Sequence, residues 1–113
     1  MKIIYLIRAT SKYGEVSYKI GITGRTGVAK RLREHKTSNP DELEVIYQFQ
    51  TKYGEVVEHA IQNHYNSSRL NGEWFEIDFL EVDNFLSICE KTERNIGILF
   101  SENTYFQNKK GLK

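Results

Sequence analysis

Arg31 and His35 stand four residues apart at the end of the stretch Ser17–His35, SYKIGITGRTGVAKRLREH. That stretch begins as an apolar, strand-like run, turns at Gly24 and continues with helical spacing. Basic groups gathered at a strand-to-helix corner are suited to holding phosphate. At ~100° per residue, Val28, Leu32 and His35 fall on one inward stripe, Arg31 lies at its edge, and Arg33 and Glu34 point away. Arg31 is therefore the arginine that can be held beside a sheet. Arg33 serves either as a phosphate contact or as a solvated charge.

These groups need a scaffold. Lys2 to Thr10 reads as a strand that is apolar on both faces, with Ile3, Tyr5 and Ile7 on one and Ile4, Leu6 and Arg8 on the other. A run of that kind suits a central strand covered from both sides. Val16 to Thr23 follows after a short turn and forms an antiparallel hairpin with it. On this second strand Lys19 and Gly21 share one face, opposite Tyr18, Ile20 and Ile22. Thr26 is a candidate N-cap for a helix to about Lys36, and Pro40 stops it. Leu43 to Thr51 alternates as a third strand, with Leu43, Val45, Tyr47 and Phe49 on one face.

Glu55 to about Ser67 is then helical, with Val57, Ile61, His64 and Tyr65 inward, Glu58 at the boundary, and Glu55, His59 and Gln62 outward or lateral. Arg69 to Ile77 is a loop with a short extended piece. A single amphipathic helix is expected from Phe79 to Thr92, and Ile96 to Phe100 is a last apolar piece. The predicted fold is α+β in the order β-β-α-β-α-α, a small three-stranded sheet flanked by helices. It forms one domain over residues 1–100, with residues 101–113 as a basic, mobile tail.

Composition bounds the rest. A chain of 113 residues with 39% hydrophobic content supports one ordinary core. The lone cysteine, Cys89, excludes an internal disulfide and reads as a small core residue. Lys2 and Arg8 interrupt the only apolar stretch near the start, so neither a leader nor a membrane span is expected. The expected compartment is the cytoplasm, of a cell or of an infected host. Charge is polarised: residues 1–36 carry +7, residues 37–100 carry −8 and residues 101–113 carry +2. Such asymmetry fits either a surface that faces a polyanion or pairing between the two halves.

The chain resembles the GIY-YIG nuclease superfamily. Ile4-Tyr5 stands for the first motif without its glycine, Lys19-Ile20-Gly21 for the second, and Arg31 to His35 for the Arg–(three residues)–His helix. Glu58 stands for the glutamate of the later helix. The resemblance is closer to the phage and large-virus branch, also found in bacteria and fungi. It rests on KIGIT at 19–23, SNP at 38–40, Glu58 and RLNGEWF at 69–75, and spans about residues 3–77. Two departures stand out. Lys19 replaces the second tyrosine, and Gln62 stands where the branch often has a histidine.

The resemblance implies a metal-dependent endonuclease acting on nucleic acid, with DNA as the expected substrate. Its implied catalytic set is Tyr5, Lys19, Arg31, His35 and Glu58. Glu58 would hold one Mg²⁺ or Mn²⁺, whose remaining sites are filled by water and phosphate. Arg31 would clamp the scissile phosphate, Tyr5 and Lys19 would activate water, and His35 would bind phosphate or relay a proton. Arg25, Lys30, Arg33 and Lys36 are the expected further nucleic-acid contacts. Glu73 either supports the metal side or faces solvent, and Trp74 and Phe75 read as core anchors rather than stacking platforms. No membrane partner is expected, and a homodimer is one route to specificity. The competing reading is a catalytically silent nucleic-acid-binding module on the same fold.

Overall fold

The structure, a computed structural model, describes residues 1–24, 27–38 and 40–111. Two strands form the expected hairpin, β1 (Lys2–Thr10) and β2 (Val16–Thr23). They are followed by helix α1 (Gly27–Ser38), strand β3 (Glu42–Thr51) and helix α2 (Gly54–His64). The chain then forms β4 (Arg69–Asn71), β5 (Trp74–Phe75), the short α3 (Phe79–Val82) and α4 (Phe85–Gly111). The fold class is mixed α+β, as expected, but the sheet has five strands in the order β3-β1-β2-β5-β4. Every pairing is antiparallel.

The two extra strands come from the 69–77 segment, which the sequence suggests is mostly loop. Gly72, with φ +50°, makes the turn between them. Arg69 fastens that turn: its guanidinium donates to the Gly72 carbonyl and lies 4.8 Å from the Phe75 ring centroid. The Arg-x-x-Gly spacing thus has a local structural purpose. Only Tyr18 and Lys19 of β2 pair with β5, so the outer edge of β2 loses its strand partner from Ile20 onward.

Apolar residues on both faces of β1 produce two cores, one on each side of the sheet. Ile4, Leu6, Tyr18, Ile20 and Phe75 pack with α2 and α4 through Val57, Ile61, Phe85 and Cys89. On the opposite side Ile3, Tyr5, Ile7 and Ala9 pack with Val28 and Leu43. Strand β3 departs from simple alternation. Leu6 pairs with Tyr47 but Ile7 with Val45, so one residue bulges out between them. A one-residue insertion flips every later side chain. Leu43 and Val45 therefore face α1, whereas Tyr47 and Phe49 join the α2–α4 core.

The predicted helix over 79–92 is broken. Asp78 caps α3 by accepting from the Leu80 backbone N–H at 3.0 Å, and the chain turns at Asp83-Asn84 before α4 begins. Helix α4 then runs without interruption through 96–100 to Gly111, so the C-terminal stretch continues a helix rather than standing apart. Among the described residues no helix is long and apolar enough to cross a membrane.

Candidate active site

Tyr5 and Gly21 are direct partners across the β1–β2 ladder. The Tyr5 side chain is 2% exposed, and its phenol lies where a Cβ on residue 21 would stand. Glycine in the Lys-Ile-Gly motif therefore makes room for that ring. Lys19 lies two residues back along β2, on the same face. Its Nζ is 3.2 Å from Glu73 Oε2 and 5.7 Å from the Trp74 ring centroid, and its side chain is only 13% exposed. Trp74 is its strand partner on β5.

Helix α1 supplies the second wall. Val28 is buried and Leu32 and His35 are half-buried, in agreement with the inward stripe. Gly27 opens the helix because the Thr23 hydroxyl lies where a Cβ would stand. Arg31 is exposed and sits 3.5 Å from Glu34 in an ion pair one turn along the helix. With Lys30, Glu34, Thr23 and Gly27 it lines an open recess of about 240 Å³ at the strand-to-helix corner. Lys30, Arg33 and Lys36 are exposed. Arg25, Thr26 and Asn39 of the SNP turn lie outside the described residues.

Glu58 comes from α2, which packs on the other side of the sheet. That helix runs along the edge of β2 that β5 leaves uncovered. There the Ile20 N–H donates to the Glu73 carbonyl at 3.1 Å, and Gln62 Nε2 donates to the Ile20 carbonyl at 3.0 Å. Gln62 is buried rather than lateral, because it replaces the missing strand partner. Glu58, one turn earlier on α2, is 7% exposed, and its Oε2 accepts no hydrogen bond among the described residues. His64, by contrast, is exposed and does not pack inward; its ring meets that of Tyr65 edge-on at 4.8 Å.

The electrostatics tie these groups together. Burial, and then the nearby Glu73 carboxylate, push the Tyr5 phenol up to about 12, while Arg31 acts in the other direction. Burial and Glu73 likewise raise the Glu58 carboxyl, against the pull of His59 and Lys19. Burial, followed by Lys19 and Arg31, lowers the His35 imidazole below its usual 6.5. Glu73 thus acts on Tyr5, His35 and Glu58 and pairs with Lys19. The sequence left it between the metal side and solvent. Its importance follows from β5 pairing with β2 beside Lys19, a register that no local pattern announces.

A buried carboxylate oxygen without a donor, next to a second carboxylate, is chemically suited to a hard divalent cation. Among the described residues no three His, Cys, Asp or Glu side chains form a metal cage.

The chain belongs to the T5orf172 domain family, which is phage-associated and whose model matches residues 2–93. That match is compatible with a nuclease-like or nucleic-acid-binding module. No curated protein and no solved structure matches it.

Proposed function

We propose that this chain is a metal-dependent endonuclease that hydrolyses phosphodiester bonds of DNA. The observation that carries the reading is that the charges of Glu73, Arg31 and Glu58 all act on the buried Tyr5 phenol, which packs against Gly21, while a buried oxygen of Glu58 has no hydrogen-bond partner among the described residues. Glu58 would hold the divalent ion, which when bound would supply Lewis-acid stabilisation of charge at phosphorus.

The chain's own residues do the rest. Arg31, exposed on α1, would exchange its pairing with Glu34 for the scissile phosphate and present a planar fork to two of its oxygens. Tyr5 is neutral in the resting site, so its hydroxyl donates to a phosphate oxygen or holds the attacking water. Its deprotonation is opposed by Glu73 and Glu58, so positive charge arriving at those carboxylates makes the phenol a better base. His35 is neutral at pH 7 and can accept a proton from that water. Lys19, tied to Glu73, keeps one ammonium fixed beside the reacting phosphate.

Two observations favour the second reading, a binding module that does not cut. Lys19 is already paired and Tyr5 is held far from its useful range. The two readings separate when purified protein is incubated with plasmid and Mg²⁺ or Mn²⁺ beside Glu58→Ala. The nuclease predicts nicked or linear product from the wild type alone. Binding without product across metals and substrates supports the silent module, and equal cutting by both proteins removes Glu58 from the mechanism.

A further inference from the structure

Trp74 is the only tryptophan, and it is not wholly a core residue. Its neighbour Phe75 is fully buried, whereas Trp74 is half-buried and lines an open recess of about 330 Å³ with Ser17, Asp41, Leu70 and Asn71. The recess lies on the site's own face of the sheet. Ser17 and Lys19 alternate along β2 on that face, and Trp74 pairs with Lys19 on one side and with Asn71 on the other. A step of two residues spans ~7 Å of strand, so the recess adjoins the proposed phosphate position.

Its lining decides what it takes. None of the five lining residues is a cation, so the recess itself holds no group that would bind a phosphate. Leu70, 54% exposed, and the Trp74 ring offer apolar surface, while Ser17 and Asn71 offer donors and acceptors at the rim. A flat, neutral heteroaromatic ring with a polar edge matches all of these. We infer that this recess receives one unpaired nucleobase, stacked on Trp74, from the nucleotide next to the phosphate held at Lys19 and Arg31. The inference rests on the nucleic-acid-binding part of the proposed function and does not need cleavage. It makes single-stranded or unpaired nucleic acid the preferred ligand, because a base inside a duplex is already stacked and paired.

The test uses the full chain without divalent metal, so that nothing is cut. Trp74 fluorescence is followed on titration with a single-stranded DNA oligonucleotide, its RNA counterpart, the matching duplex and a base-free phosphodiester of equal length. Binding is followed separately by anisotropy of labelled ligands. The account predicts saturable quenching by the single strand at the concentration where anisotropy rises, and little quenching by the duplex or the base-free backbone. The DNA and RNA arms show which sugar is accepted. Trp74→Leu should weaken single-strand binding by roughly 5- to 150-fold, as loss of one stacked base implies. Single-strand binding without quenching overturns the inference, as does equal quenching by the base-free backbone, or failure to bind any of the four. These wild-type arms stand whether or not the Leu variant folds. Binding with quenching but no cleavage on adding Mg²⁺ would sustain this inference while removing the nuclease reading.

Discussion

Tyr5 sits at the centre of the site in a state that does not suit a base. Its phenol is held at about 12, with burial the main cause and Glu73 the next. In the proposed mechanism its use as a base would therefore depend on positive charge near Glu58 and Glu73. Tyr5→Phe should lower the cleavage rate about 10²-fold or more while leaving DNA affinity nearly unchanged, the signature of a group that acts in proton transfer. Gly21→Ala should be costly for a different reason. The new methyl group meets the Tyr5 ring, and overpacking of this kind costs roughly 1–3 kcal/mol, measurable by urea unfolding. His35 offers a test by pH. Its imidazole titrates below 6.5, so the unfolded chain binds more protons through that window. Stability is complete above pH ~6.5 and is lost as pH falls through the lowered value. Two-dimensional NMR of the His35 ring should place its midpoint below 6.5, and bound phosphate should raise it.

At the scale of elements, the open edge of β2 does the organising. β5 covers Tyr18 and Lys19, and beyond them Gln62 and the Glu73 carbonyl satisfy Ile20. Gln62→Ala should leave the Ile20 carbonyl buried without a donor and lower stability by roughly 1–3 kcal/mol. Much of this scaffold can be read from the residues. The two-faced apolar run of β1 marks a central strand, and the α1 stripe separates Arg31 from Arg33. Strand parity assigns Lys19 and Gly21 to one face.

What escapes reading is non-local. The bulge in β3 sends Tyr47 and Phe49 to the other core, although their alternation looks unbroken. The β4–β5 hairpin depends on a single glycine turn and an Arg69 contact. The meeting of Glu73 with Lys19 depends on which strand joins the β2 edge. Helical angle puts Glu58 only at the boundary of its helix face and the resemblance gives it a role, but neither announces its burial.

Over the whole molecule, charge and family extent point the same way. The basic N-terminal third contains α1, whose Lys30, Arg33 and Lys36 are exposed on the flank of the site. If they contact phosphates, replacing Lys30 and Arg33 together by Glu should weaken duplex binding across all sequences. The slope of log affinity against log salt should become shallower by about two. The family match ends at residue 93, within α4, so the last turns of that helix lie beyond the matched region.

The most direct measurement is single-turnover cleavage of end-labelled DNA in Mg²⁺, with every protein saturating the substrate. Wild type is compared with Tyr5→Phe and Glu58→Gln at equal occupancy. The account predicts product from the wild type and a rate lower by about 10² or more in each variant, with binding retained. Undiminished cleavage by both variants, or no cleavage by a wild type that binds fully, would contradict it.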